Sequence, residues 1–225
     1  MMVGDAVRVV IFDLDGVLVD SEQLWDAARR GVAAEASRPW PTEATRAMQG
    51  MNTVEWSAYL TDAVGIPAEP EQVASTVVER IAAQYHARLP LLPGAVEVVQ
   101  RLGHRWPLGL ASSSPRRLID IVLESAGLAQ WFQLSISTEE VGAGKPSPVV
   151  YQTVVGRMGV EPGQAVAIED SSNGLRSAAT AGLRVLAVPN RAFPPYEDAL
   201  ALADVIVDSL DEITLELVAS MGCRG

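Results

Sequence analysis

At 225 residues, with 48% hydrophobic and 20% charged residues, the chain is long enough for one large globular domain, or for a domain carrying an inserted second one. That composition excludes a disordered or fibrous protein. With 17 basic residues against 28 acidic, the net charge of -11 disfavours long-range attraction to nucleic acid or to an anionic membrane, so a site for an anion must supply its own local positive charge. The single cysteine, Cys223, leaves no internal disulfide and no cysteine cluster for a metal.

The opening Met1-Met2-Val3-Gly4-Asp5 has no basic segment, and the apolar run at residues 9–12 falls far below the ~18 residues of a membrane span. A cytoplasmic protein is the expectation. That run reads as a buried strand and stops at Asp13-Leu14-Asp15-Gly16. From there to about residue 88 the pattern changes to helical spacing, with turn signals at Arg38-Pro39, Gly65-Ile66-Pro67 and Glu69-Pro70, which predicts three or four helices.

From residue 89 strand and helix patterns alternate. Pro107-Leu108-Gly109-Leu110-Ala111 reads as a strand, residues 115–125 as a helix closed by Gly127, and residues 134–137 as a second apolar strand. Pro146 or Pro148 opens a helix to about Met158, and residues 165–168 form a strand. Ser171 or Ser172 caps a helix that runs to Ala181 and ends at Gly182, and strands at residues 185–188 and 204–207 follow. Strands separated by helical crossovers predict an α/β fold, a doubly wound parallel sheet with helices on both faces. The helical stretch would be an inserted cap over residues 21–88, with residues 1–20 and 89–225 forming the core. In open α/β sheets ligands bind at the carboxyl ends of the strands, where such an insert would sit.

The candidate chemistry gathers at those strand ends. Side chains at i and i+2 of a strand point the same way, so Asp13 and Asp15 can converge, and Gly16 permits a tight departure. Ser112-Ser113-Ser114-Pro115 ends a strand in hydroxyls at a helix N-terminus, a place suited to phosphate oxygens. Gly142-Ala143-Gly144-Lys145-Pro146 holds one lysine among small residues, and Glu169-Asp170-Ser171-Ser172-Asn173 ends another strand in carboxylates. Carboxylates gathered at one edge need a counter-charge, and oxygen ligands select a hard cation such as Mg²⁺.

These segments resemble, in order and over nearly the whole chain, the motifs of the haloacid dehalogenase-like phosphatases with a small helical cap, within the β-phosphoglucomutase and sugar phosphatase subgroup. The resemblance implies a Rossmann-like core, with Asp13 as the nucleophile that forms an aspartyl phosphate and Asp15 as the acid and base. It implies Ser112, Ser113 and Lys145 at the transferring phosphoryl group, and Mg²⁺ held by Asp13, the Asp15 backbone carbonyl and Asp170, with Glu169 as a further metal residue acting through water. Ser171 and Asn173 would orient that shell or the lysine. Val19-Asp20-Ser21-Glu22 is similar to the family's hinge into the cap.

Within the family, Asp15 points away from carbon–halogen cleavage, because a halide leaves without protonation. The alternative is a β-phosphoglucomutase-type phosphosugar mutase. Mutases carry a histidine where this chain has Trp25, a basic residue where it has Pro115, and an arginine after a cap Lys-Gly where it reads Gln49-Gly50-Met51-Asn52-Thr53. Arg116 or Arg117 could replace one of those contacts. A phosphoacceptor receiver domain would carry its aspartate on a later strand, in a chain about half as long and without a cap. The expectation is a Mg²⁺-dependent phosphatase of small phosphate monoesters, phosphorylated metabolites with sugar phosphates foremost, with Trp25, Gln49, Gly50, Met51, Asn52, Ser114 and Arg116 setting its specificity. It would act as a monomer or weak homodimer without nucleic acid or membrane. His86 and His104 read as surface or helix-end residues.

Overall fold

A computed structural model describes residues 6–48, 51–191 and 193–222. Six strands, β1 (Val9–Phe12), β2 (Leu108–Ser112), β3 (Phe132–Ser137), β4 (Ala165–Glu169), β5 (Arg184–Ala187) and β6 (Val205–Ile206), form one sheet in the order β3-β2-β1-β4-β5-β6. Every pairing is parallel. The central strand β1 is wholly apolar because both of its faces are covered. Val10 and Phe12 join Leu108, Leu110, Val166 and Ile168 on one face, whereas Val9 and Ile11 join Ala165 and Ala167 on the other.

Ten α-helices accompany the sheet among the described residues: α1 (Glu22–Glu35), α2 (Ala44–Ala47), α3 (Thr53–Asp62), α4 (Pro70–Ala87), α5 (Ala95–Gly103), α6 (Arg116–Ser125), α7 (Val149–Met158), α8 (Ser172–Thr180), α9 (Glu197–Leu200) and α10 (Leu215–Ser220). Buried residues of α5, α6 and α10 pack in the first layer, and those of α7, α8 and α9 in the second. The fold is the doubly wound parallel sheet read from the alternation. The alternation did not single out α5, which buries Ala95, Val98, Val99 and Leu102 along one face.

The strand ends differ from the sequence reading in an informative way. β2 and β4 each run on to a polar residue, because Ser112 pairs with Ser137 and Glu169 with Ala187 in the ladder. At the far edge β6 is shorter than expected, although Asp204 N–H still donates to Val185 O at 2.8 Å and Val207 N–H to Ala187 O at 2.9 Å on either side of it, and the Asp204 carboxylate accepts the Val185 N–H at 2.8 Å.

Helices α1 to α4 lie between β1 and β2 in the chain. The outgoing and returning segments run side by side: Val19 bridges to both Asp15 and Leu91, Asp20 N–H donates to Pro90 O at 2.8 Å, and Leu92 N–H donates to Leu18 O at 3.0 Å. Trp25, Trp56, Leu60, Val77 and Ile81 form the apolar interior of this insert, continuous with the first face of the sheet. The side chain of Asn52 accepts the Glu55 N–H and the Glu55 carboxylate accepts the Asn52 N–H, a capping box that fixes where α3 begins. Chain order runs outward in opposite directions from β1 to β2 and β3 and from β4 to β5 and β6, so the crevice beyond β1 and β4 is the switch point of the sheet.

Candidate active site

That crevice collects the motif residues. Asp13 follows the last residue of β1, and its backbone N–H donates to Ile168 O of β4 at 3.0 Å, which continues the ladder one step past the strand and fixes the side chain over the sheet edge. Lys145 reaches it from the loop after β3: Nζ donates to Asp13 Oδ1 at 2.5 Å, Glu169 Oε1 at 2.6 Å and Ala111 O at 3.0 Å. Only 3% of the lysine is exposed, so its charge belongs to these partners and not to solvent. Tyr151 of α7 donates its hydroxyl to the same Glu169 oxygen at 2.7 Å, and the other Glu169 oxygen accepts the Asp170 N–H at 3.1 Å.

Asp170 stands beside this group with Oδ1 buried and without a hydrogen-bond partner. Ligand oxygens of Asp13, Glu169 and Asp170 lie within 4.8 Å of one another. Gly16, at φ +81°, takes the left-handed turn after Asp15, and a Cβ there would collide with the Asp170 carboxylate. The glycine is required both by the turn and by the carboxylate behind it.

Electrostatically the group is short of positive charge. Burial pushes the Asp13 carboxyl up to about 8; Lys145 opposes that rise, and Glu169 and Asp15 add to it. Asp170 is held well above the usual carboxylate range by burial, with Glu169 and Asp13 adding to it. Lys145 is raised, because Asp13 and Glu169 outweigh its own desolvation. One lysine does not neutralise these carboxylates, and the remaining demand, an oxygen-only donor set with an unpartnered buried oxygen, fits a hard divalent cation.

Asp15 is anchored differently. Its Oδ1 accepts Ser21 Oγ at 2.5 Å and Trp25 Nε1 at 3.2 Å from the insert, and its Oδ2 accepts Ser114 Oγ at 2.6 Å from the loop after β2. Ser112 Oγ lies 3.5 Å from Oδ2 and also accepts the Ser114 N–H at 3.0 Å. Ser113 and Ser114 both line the cavity beside Asp13, Asp15 and Lys145. Ser171 lines it too, and its side chain accepts the Gly174 N–H as the cap of α8.

The insert contributes Glu22, Trp25, Arg29, Met48, Met51 and Trp56 to the same cavity. Burial raises the Glu22 carboxyl to about 7, and Arg29 works against that rise. Trp25 and Met51 therefore stand where the sequence placed substrate contacts. Asn52 spends its side chain on the α3 cap, and Gln49 and Gly50 lie outside the described residues. Arg116 does not turn into the cavity: it donates to Ser135 O at 2.7 Å and pairs with Glu140, as Arg117 pairs with Glu79. His86 and His104 are exposed, on the last turn of α4 and just after α5.

Sequence reasoning missed Tyr151, Glu22, Arg29 and Met48 as site residues. Arg29 had a signal, since it falls on the face of α1 that carries Trp25, Ala28 and Val32, where a charge is out of place. Where the insert meets the core, Thr53 Oγ1 donates to Glu139 at 2.5 Å, and Asn52 and Glu55 sit against Gly144, so closely that a Cβ on that glycine would meet both.

The sequence profile of the haloacid dehalogenase-like hydrolases matches residues 7–182. The chain is similar to Hexitol phosphatase B of Escherichia coli (strain K12), at 34% identity over 214 residues that cover 92% of this chain and 95% of that protein. It is also similar to the Phosphorylated carbohydrates phosphatase of Thermotoga maritima, at 32% identity over 177 residues covering 78% and 82% of the two chains. Among solved structures, CbbY from Rhodobacter sphaeroides in complex with phosphate superposes with a TM-score of 0.83 at 25% identity, over 95% of this chain and 99% of that one.

Proposed function

The chain belongs to the haloacid dehalogenase-like hydrolase family and is a phosphoric monoester hydrolase, and from that premise we propose that it dephosphorylates small phosphorylated carbohydrates, with Mg²⁺, through an aspartyl phosphate on Asp13. The observation that carries this reading is the pairing of Asp13 with Lys145 at 2.5 Å across the switch point, beside an unpartnered Asp170 oxygen. The carbohydrate preference rests on the relatives' phosphatase names.

Asp13 attacks phosphorus, forming an oxygen–phosphorus bond as the ester P–O bond breaks, and Asp15 gives its proton to the departing alkoxide. Asp15 then takes a proton from water as the water attacks phosphorus, which frees inorganic phosphate and restores Asp13. Lys145 and the hydroxyls and N–H groups after β2 hold the phosphoryl oxygens. Asp13, Asp170 and the Asp15 carbonyl would hold Mg²⁺, with Glu169, whose oxygens are engaged by Lys145, Tyr151 and Asp170 N–H, aligning its neighbours. The cation, when bound, offsets repulsion between the Asp13 carboxylate and the phosphate, about 4 kcal/mol per charge pair at about 4 Å and an effective dielectric near 20.

The core would comprise residues 1–20 and 89–225, with residues 21–88 as its cap. Mutases carry a basic residue after the serine run, and the two arginines that follow it here, Arg116 and Arg117, are committed to Glu140 and Glu79, which counts against that reading. The test is release of phosphate from p-nitrophenyl phosphate and from sugar phosphates with Mg²⁺. Asp13→Asn abolishes it, and retained turnover in that variant overturns the assignment.

A further inference from the structure

The cavity has a second cation that the phosphoryl chemistry does not use. Arg29 is 7% exposed, and its guanidinium lies 4.8 Å from the Trp25 ring and 5.0 Å from the Trp56 ring, two indoles that meet each other edge to face. Its Nε is buried without a hydrogen-bond partner, and no carboxylate of the described residues forms an ion pair with it. Asp26, on the same helix, is committed to Arg30 at 2.6 Å and to Thr45 at 2.5 Å. Glu22, which lines the same cavity, influences Arg29 through space without bonding to it.

Two aromatic faces stabilise a guanidinium, but they leave its in-plane donors unfilled, and a buried charge without a hydrogen-bonded partner is costly. Burial lowers the Arg29 pKa only to about 10, so the group stays charged at neutral pH. The rest of the insert's wall is Glu22 with Trp25, Met48, Met51 and Trp56, so beyond that one acidic group it offers little to a chain of hydroxyls, whereas a planar guanidinium matches a carboxylate with two parallel charge-assisted hydrogen bonds.

We propose that Arg29 is the specificity-determining residue of this site and that it receives a carboxylate at the end of the substrate remote from the phosphate, so that the preferred substrates are phosphorylated sugar acids or hydroxy acids. This rests on the phosphatase reading above. Trp25 and Trp56 hold the guanidinium in place and flank the carbon chain between the two anionic ends. Charge-assisted hydrogen bonds of this kind change binding by about 10- to 100-fold.

The experiment compares matched pairs that differ only at the far end: sorbitol 6-phosphate against 6-phosphogluconate, and glycerol 3-phosphate against 3-phosphoglycerate. Wild-type enzyme with Mg²⁺ is expected to show a kcat/KM about 10- to 100-fold higher for the acid in at least one pair, carried by KM. Arg29→Met and Arg29→Gln remove that preference, and Arg29→Lys restores part of it. A wild-type enzyme that favours the acid in neither pair overturns the inference and leaves the phosphatase reading standing. Variants that lose acid and alcohol turnover in equal proportion make Arg29 a packing residue and overturn it as well. An enzyme that releases phosphate from none of these compounds, nor from p-nitrophenyl phosphate, overturns both readings.

Discussion

The indole N–H of Trp25 donates to Asp15 Oδ1 at 3.2 Å, so the first helix of the insert is hydrogen-bonded to the carboxylate proposed as the acid. Ser21 adds a second bond to the same oxygen at 2.5 Å, while Ser114 binds the other oxygen from the core. Asp15 is thereby held from both sides of the cavity, with its orientation set by the insert as much as by its own strand.

Replacing Asp15 should therefore reveal its role through leaving groups. Asp15→Ala is expected to lower kcat/KM on alkyl phosphates by about 100- to 10,000-fold, and far less on p-nitrophenyl phosphate, whose leaving group departs without protonation. Equal losses on both would remove the acid assignment.

Lys145 is the buried cation between Asp13 and Glu169. Lys145→Met leaves those carboxylates facing each other without it, at a cost of about 3–5 kcal/mol, the range for breaking a buried pair. In a chain of this size that lowers Tm by roughly 6–20 °C in metal-free buffer. A thermal melt within about 2 °C of wild type would show that the pair contributes little to the fold.

Cation binding should be tied to pH. Because burial lifts Asp13 to about 8 and holds Asp170 well above the usual carboxylate range, the metal-free protein keeps protons among these ligands at neutral pH that a cation must displace. Mg²⁺ affinity is expected to rise between pH 6 and 8, by up to about tenfold per pH unit for each displaced proton. Titration calorimetry in buffers of different ionisation enthalpy counts the protons directly, and an affinity independent of pH would contradict the arrangement. Asp170→Asn, which removes an oxygen ligand, should weaken Mg²⁺ binding at every pH.

Glu22 gives a stability signature of its own. Its carboxyl moves up from 4.5 to about 7 on folding, so the folded protein binds that proton more tightly than the unfolded chain. The resulting stability is complete below about pH 4.5 and is lost as pH climbs through about 7. Glu22→Gln should raise Tm by a few degrees at pH 8, in line with about 1–3 kcal/mol, with the gap closing toward pH 5. A gap that stayed constant with pH would assign the effect to packing instead.

The alternation of strands and helices was legible because buried parallel strands are apolar throughout and their helices end in Gly127 and Gly182. Asp13, Asp15 and Asp170 were legible for a related reason, since polar residues that break apolar runs mark the sheet edge where the topology gathers them, and Lys145 stood out as one lysine held between Gly144 and Pro146 in a loop of small residues. Local sequence does not show how a helix is rotated about its axis. Arg116 follows the serine run and reads as a substrate contact, yet α6 turns it toward Ser135 and Glu140 on the neighbouring strand and loop. Glu169 reads as a ligand, but only the packing of α7 reveals that Tyr151 shares one of its oxygens with Lys145. The place of Arg29 on the apolar face of α1 marks it as unusual, but its role in the site shows only when α1 and α3 bring both tryptophans against it.

The meeting of Asn52 and Glu55 with Gly144 has a further consequence, since the next residue after that glycine is Lys145. The start of α3 rests against the loop that aims the ammonium group at Asp13, so the seating of the insert and the grip on the reacting carboxylate share one contact. A larger side chain at Gly144 would collide with Asn52 and Glu55 there, and relief of that collision must come from the insert, from the lysine's aim, or from both.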